Sequence, residues 1–299
     1  MNSYIDEEKL NIVRNRKGFI AALDQSGGSS GKTLEKYGIP KDSYSTDEEM
    51  FDLIHEMRKR VITSPAFTKD RILGTILFYK TMNSEIEGKY TADYLWEEKE
   101  IVAFLKVDKG LAEEENGVKL MKEIPDLTSQ IEEAKEKHVF GTKMRSVIYE
   151  PNEKGIEDIV KQQFEFAKII ADGGLVPIIE PEVDINANEK EKCEEILKSK
   201  IKEELDKWNK DEPLMFKFTI PTKDNLYLDL YEYEAVLKIV ALSGGYDNET
   251  ACKYLEKNNN MIASFSRALL EDLRVDQTEE DFNNTLASAI EKIYEASIS

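Results

Sequence analysis

The stretch Leu214–Ile220, LMFKFTI, is apolar or β-favouring at every position but one, and that one is a lysine. A short run so nearly continuous in apolar residues reads as a strand covered on both faces, the pattern of a parallel sheet. An ammonium within such a strand must meet a carboxylate, water or a ligand, because burying it alone is costly. Working outward from it, similar runs recur at 18–24 (GFIAALD), 72–78 (ILGTILF), 102–108 (VAFLKVD), 139–148 (VFGTKMRSVI), 175–183 (LVPIIEPEV), 236–243 (VLKIVALS) and 261–267 (MIASFSR). Between them apolar residues fall at helical spacing, as in Met50, Ile54, Met57 and Val61, or Ile156, Ile159, Val160, Phe164 and Ala167. This alternation predicts an α/β architecture of parallel strands and crossover helices. An open doubly wound sheet gathers its functional groups at one crevice. Here polar residues end nearly every run, as a closed ring facing one site requires. The expected fold is therefore a (β/α)8 TIM barrel, a single domain over residues 1–299, with an N-terminal extension over about 1–16 and a C-terminal helix over about 278–297.

Bulk composition narrows the function. With 40% hydrophobic and 34% charged residues the chain is an ordinary globular sequence. Its formal charge of -19 repels polyanions, which argues against nucleic acid or an anionic membrane as partner. The opening MNSYIDEEKLNIVRN lacks the apolar core of a signal peptide, and no stretch is long and apolar enough to span a bilayer, so a cytoplasmic location is expected. Cys193 and Cys252 lie far apart in charged, helix-like segments and read as reduced thiols. His55 and His138 are the only histidines, which disfavours zinc chemistry; no metal and no cofactor are expected. The oligomeric state is left open, a homo-oligomer being compatible with everything above.

Residues 24–33, DQSGGSSGKT, approach a nucleotide-binding P-loop but miss it. Counting back from Gly31-Lys32-Thr33 puts Ser26 where the first glycine belongs, so the phosphate cradle would not close in the usual way. What remains is a strand that ends in an acid, Asp24. Other strand runs carry charges too. Lys106 and Asp108, Lys143 and Arg145, and Glu180 and Glu182 each stand two apart and so share a face. Any one pair alone could be architectural. Together, at the ends of neighbouring strands, they describe a locally cationic site inside an acidic protein, suited to a phosphorylated small molecule. Leu242–Gly245, LSGG, and Ser264-Phe265-Ser266-Arg267 follow the last two runs, where barrels commonly hold a phosphate. Lys217, with Phe216 and Phe218 beside it and Lys143 and Arg145 nearby, is placed where desolvation and like charge favour a neutral amine. Such an amine attacks a carbonyl, giving a Schiff base with carboxylates at hand to move protons.

The segments GFIAALDQS, FLKVDKG, KMR, VPIIEPE, FKFTIP, LSGG and SFSRAL, in this order and at these intervals, resemble class I fructose-1,6-bisphosphate aldolase, and the likeness runs from about residue 15 to about 295. The resemblance implies reversible aldol cleavage of fructose 1,6-bisphosphate to dihydroxyacetone phosphate and glyceraldehyde 3-phosphate, in glycolysis and gluconeogenesis. It implies that Lys217 forms the Schiff base at C2, that Glu180 moves the protons of carbinolamine dehydration, and that Glu182 holds the surrounding lysines. Asp24 would take the C4-hydroxyl proton as the C3–C4 bond breaks, and Lys143 would keep Lys217 neutral. Ser26 and Ser29, with Lys106 and Arg145, would bind the 6-phosphate; Ser243, Gly244, Gly245, Ser264 and Arg267 would take the 1-phosphate. Animal members end in a mobile tail with a terminal tyrosine that exchanges the enamine proton, whereas this sequence ends IYEASIS, with Tyr294 in a helix-like segment. Phe265 and Ser266 stand where those relatives carry tyrosine and glycine. Two other readings stay open: a Schiff-base lyase for another sugar phosphate, and a non-catalytic scaffolding role.

Overall fold

A computed structural model describes residues 5–299. Eight parallel strands follow one another around a ring in chain order: β1 (Phe19–Leu23), β2 (Ile72–Leu77), β3 (Val102–Lys106), β4 (Val139–Ile148), β5 (Val176–Val183), β6 (Leu214–Thr219), β7 (Val236–Leu242) and β8 (Met261–Ala263). The ring closes between its first and last members, where Ala22 N–H donates to the Phe265 carbonyl at 3.2 Å. The longer helices are α1 (Glu7–Asn15), α2 (Gly28–Tyr37), α3 (Asp47–Thr63), α4 (Thr91–Glu97), α5 (Leu127–Glu136), α6 (Glu153–Asp172), α7 (Lys190–Leu205), α8 (Asn248–Leu255) and α9 (Glu279–Ile298). The expected (β/α)8 barrel is thus the observed fold.

The sequence explains the two cores. Alternate residues of a strand face opposite sides. Ile20, Phe104, Val176, Ile178, Met215, Val240 and Ile262 meet inside the ring, and Leu10 and Val13 of α1 pack onto this inner cluster. The opposite parity, including Phe19, Leu23, Leu105, Ile179, Phe216 and Phe218, packs outward against the helices. Beyond the apolar inner layers the same inward parity turns polar, giving Asp24 in line with Ile20, Glu180 with Val176 and Ile178, and Lys217 with Met215. One end of the barrel is therefore plugged with hydrocarbon and the other is lined with charge.

Local departures from the expected pattern have identifiable causes. The eighth strand ends at Ala263, because Ser264–Ser266 leave the ring for a loop that enters the short helix Arg267–Leu270. The connection between β6 and β7 carries a 3-10 turn, Leu228–Glu232, in place of an α-helix. There the ring of Tyr227 stacks on Phe218 at 3.9 Å and covers the outer face of β6. Val118–Lys119 adds a short antiparallel partner to the end of β4. The C-terminal helix seals the seam between β8 and β1: Ser297 Oγ accepts from the Ala263 N–H at 3.0 Å. The proposed N-terminal extension, about residues 1–16, holds α1, while residues 1–4 of it lie outside the described residues. Among the described residues no helix is long and apolar enough to cross a membrane. Both cysteines are buried free thiols.

Candidate active site

The charged end of the barrel opens into a cavity of about 640 Å³. Every residue singled out from the sequence for a site role lines it: Asp24, Ser26, Ser29, Lys106, Lys143, Arg145, Glu180, Glu182, Lys217, Ser243, Gly244, Gly245, Ser264 and Arg267. The volume lies within the range of about 300–1,000 Å³ usual for small-molecule sites.

At its centre is a chain of alternating charges. Lys217 Nζ lies 3.1 Å from Glu180 Oε1, and the other Glu180 oxygen lies 2.9 Å from Lys143 Nζ. Lys143 also reaches Asp24 at 2.7 Å and Asp108 at 4.0 Å. All five side chains are buried. The strands enforce these neighbours. Lys106 and Lys143 are directly paired across β3 and β4, so like charges stand opposite one another unless acids intervene. Asp108 does so, taking Lys106 at 2.7 Å. Pairing of β5 with β6 covers only Ile178–Met215 and Ile179–Phe216, after which Thr219 Oγ donates to the Val183 carbonyl at 2.5 Å and holds the two strand ends together. Glu180 is fixed from behind, its own N–H donating to Gln163 Oε1 of α6 at 2.9 Å.

The electrostatics follow from this geometry. Burial alone would raise the Asp24 pKa, but the charges of Lys143, Lys217 and Lys106 hold it well below the usual carboxylate range. Burial likewise disfavours the Lys143 ammonium, yet Asp24, Glu180 and Asp108 outweigh it and hold Lys143 well above the usual lysine range. Arg145 is held above its ordinary value in the same manner, against burial, chiefly by Glu182 at 2.6 Å.

Three expectations change in detail. Phe216 and Phe218 do not crowd Lys217. They lie on the opposite face, stacked on each other at 5.3 Å in the outer layer, and Lys217 owes its burial to the cavity floor. Glu182 holds Arg145, through its Nε at 2.6 Å, in place of a lysine. The strand ends are not a cationic surplus, since Lys106, Lys143, Arg145 and Lys217 each face a carboxylate. Among the described residues, the cations lining the cavity without a carboxylate in ion-pair reach are Lys32, Lys36 and Arg267.

The two loops expected to hold phosphates are built differently. At β1, Ser29 Oγ accepts from the Ser26 N–H at 3.0 Å and donates to the Ser26 carbonyl at 2.8 Å, making the turn that starts α2. At β7 and β8, Arg267 Nη1 approaches the Gly245 carbonyl at 3.5 Å, bringing the two loops together. Gly244 and Gly245 have φ of +62° and +124°, and a Cβ at Gly245 would stand 3.2 Å from Arg267 Nη1. Glycine is thus required there by both backbone and space. Ser264 is buried at the cavity wall, its hydroxyl without a partner among the described residues. The Tyr294 ring lies 4.4 Å from the Arg71 guanidinium, outside the cavity lining.

Sequence reasoning gave no site role to Asp108, although it noted the pair with Lys106, nor to Gln25 and Arg58. Arg58 is fully buried in α3, with Nη2 donating to the Gln25 carbonyl at 2.6 Å. The available signal was an arginine on the apolar stripe of α3, one residue after Met57.

Comparison with known proteins places this arrangement. The family model described as "Glycolytic: Fructose-bisphosphate aldolase class-I" matches residues 5–220, which includes β1 to β6 and the lysine–carboxylate chain. Among solved structures, fructose-bisphosphate aldolase from Plasmodium falciparum, crystallised with TRAP and a small-molecule inhibitor, superposes with a TM-score of 0.75 at 18% identity. The match covers 99% of this chain and 97% of that one. At that identity the superposition speaks for the fold.

Proposed function

Because the chain belongs to the class-I fructose-bisphosphate aldolase family, we propose that it cleaves fructose 1,6-bisphosphate reversibly, through a Schiff base at Lys217, to dihydroxyacetone phosphate and glyceraldehyde 3-phosphate. The observation that carries this reading is the placement of Lys217 Nζ 3.1 Å from Glu180 Oε1 while the far oxygen of Glu180 rests 2.9 Å from Lys143. An amine, its proton acceptor and a fixed cation that restores the acceptor's charge thus stand in a row at the floor of a cavity.

The steps use these groups in turn. Lys217 passes a proton to Glu180, and its free amine attacks C2 of the open-chain ketose. Glu180 returns that proton to the carbinolamine hydroxyl, which leaves as water and gives the iminium. Asp24 then takes the proton of the C4 hydroxyl, the C3–C4 bond breaks, and its electrons pass into the iminium to form the enamine. Asp24 is a weak base at rest, partly because of the Lys217 charge. Cleavage discharges that cation as the enamine forms, so the proton affinity of Asp24 rises in step with the reaction. Protonation of the enamine and hydrolysis release dihydroxyacetone phosphate.

Substrate orientation follows from the two loops. Ser26 and Ser29 bind the 6-phosphate together with Lys106 and Arg145. Ser243, the amides of Gly244 and Gly245, Ser264 and Arg267 bind the 1-phosphate. Glu182 keeps the Arg145 guanidinium aimed into the cavity. In this reading the enzyme is cytoplasmic and serves glycolysis and, in reverse, gluconeogenesis. Triose phosphate release from fructose 1,6-bisphosphate, followed with coupling enzymes, tests it. Turnover that exceeds that of fructose 1-phosphate supports the proposal. Absence of cleavage alongside activity on a different phosphorylated aldol would replace the substrate.

A further inference from the structure

Arg58 occupies a costly position. It stands on the apolar stripe of α3 with Ile54, Met57 and Val61, is fully buried, and its Nε has no partner among the described residues. The groups it hydrogen-bonds are neutral, and the Asp24 charge nearby opposes the cost of its burial without overcoming it. Nη1 donates to Thr81 Oγ1 at 2.5 Å, and Nη2 donates to the Gln25 carbonyl at 2.6 Å and to Gln25 Oε1 at 3.0 Å. Hydrocarbon at this place would fill the layer without desolvating a charge. α3 is well anchored without it, through a capping box in which the Glu49 N–H donates to Thr46 Oγ1 and the Thr46 N–H donates back to Glu49.

The contact with Gln25 has a directional effect. An amide side chain has one acceptor end and one donor end. With Oε1 and the backbone carbonyl both turned to Arg58, the Gln25 Nε2 group must point the other way, where it donates to Ser266 Oγ and, at 3.4 Å, to the Ala22 carbonyl. Gln25 stands between Asp24 and Ser26, and Ser266 directly precedes Arg267. A single hydrogen-bonded line therefore runs from Thr81 through Arg58 and Gln25 to Ser266. It ties the loop after β1 to the loop after β8, at the seam where the strand order of the barrel ends and the Ala22–Phe265 backbone bond joins its first and last members.

We propose that Gln25 and Arg58 are positioning residues that lock the two phosphate-binding loops to each other across the seam, and so set affinity for a substrate carrying a phosphate at each end. This rests on the aldolase reading, which gives the loops their ligands. Arg58 orients Gln25, Gln25 holds Ser266, and Ser266 fixes the entry of Arg267 into its short helix. Neither Gln25 nor Arg58 takes part in bond making.

The test is a double-mutant cycle with Ser266→Ala and Gln25→Met, joined by Arg58→Met with its fold checked by circular dichroism. Each of the first two variants is expected to raise KM for fructose 1,6-bisphosphate by roughly 2- to 10-fold, the loss of about one hydrogen bond, with kcat within about twofold of wild type. The double variant is expected to match Gln25→Met, because the one bond that Ser266→Ala removes is already absent there. Calorimetric binding of dihydroxyacetone phosphate should weaken in parallel in all of them. Unchanged KM and binding in both single variants, or effects that add in the double variant, overturn the proposal. Wild-type protein that neither cleaves the bisphosphate nor forms a reducible adduct with dihydroxyacetone phosphate shows instead that the aldolase reading has failed, and the positioning role with it.

Discussion

Replacing Lys143 by methionine removes the cation that Asp24, Glu180 and Asp108 share at 2.7, 2.9 and 4.0 Å. Deleting one partner of a buried ion pair costs about 3–5 kcal/mol, and the upper half of that range applies here because more than one carboxylate loses its counterion. The deficit must depend on pH. In the wild type the folded pKa of Asp24 is depressed below its ordinary value of 3.8. Its stabilising contribution is therefore complete above that value and is lost only as pH falls through the depressed one. In the variant, burial still opposes the Asp24 charge while Lys217, Lys106 and Arg58 alone are left to support it among the described residues. The folded variant then takes up a proton at higher pH than the wild type does, and acidification stabilises it relative to wild type. Urea unfolding at about pH 8 and about pH 4 measures the difference. The expected result is a large deficit at the higher pH that shrinks at the lower one. A deficit of equal size at both, or none at either, would mean that the three acids are not held by Lys143.

Other outcomes follow from the same contacts. Glu180→Gln keeps the shape but cannot shuttle a proton, so kcat should fall by about 10²- to 10⁴-fold; an unchanged kcat removes Glu180 from the mechanism. Lys106→Ala and Arg145→Ala should each weaken fructose 1,6-bisphosphate by about 1.5–3 kcal/mol and fructose 1-phosphate by less. Equal losses on the two sugars would detach both residues from the 6-phosphate. Ser297→Ala strips the buried Ala263 N–H of its acceptor at 3.0 Å and should cost about 1–3 kcal/mol in thermal or urea unfolding without altering KM; an unaltered melting curve would show that α9 does not seal the seam.

Most of the barrel was legible because parallel strands buried on both faces leave a simple mark, a run such as Ile72–Leu77 with no charged interruption. The site was legible for the complementary reason. Lys217 and Glu180 break that mark, and a charge inside a strand needs a purpose. What stayed hidden depends on where strands stop and which way side chains turn. The aromatic neighbours of Lys217 were visible, but their burial on the far face follows from strand parity combined with the direction of the barrel interior. The Ser264–Arg267 segment follows the eighth run with no glycine or proline to mark a stop, yet it leaves the ring and sets Ser264, Ser266 and Arg267 at the cavity wall. Glu182 and Arg145 lie on neighbouring strands, and only the register, which sets Arg145 opposite Glu180 and Val147 opposite Glu182, decides which pairs form. Arg58 was hardest to read, since one cation on a helix stripe resembles a surface residue until the helix is docked.

Reductive trapping tests the central claim most directly. Protein incubated with dihydroxyacetone phosphate is treated with borohydride, digested and mapped by mass spectrometry. The account requires the adduct to lie on Lys217 and to vanish in Lys217→Ala when the circular dichroism spectrum is retained. An adduct on Lys143 or Lys106 instead, or substrate turnover with Lys217 never modified, would contradict it.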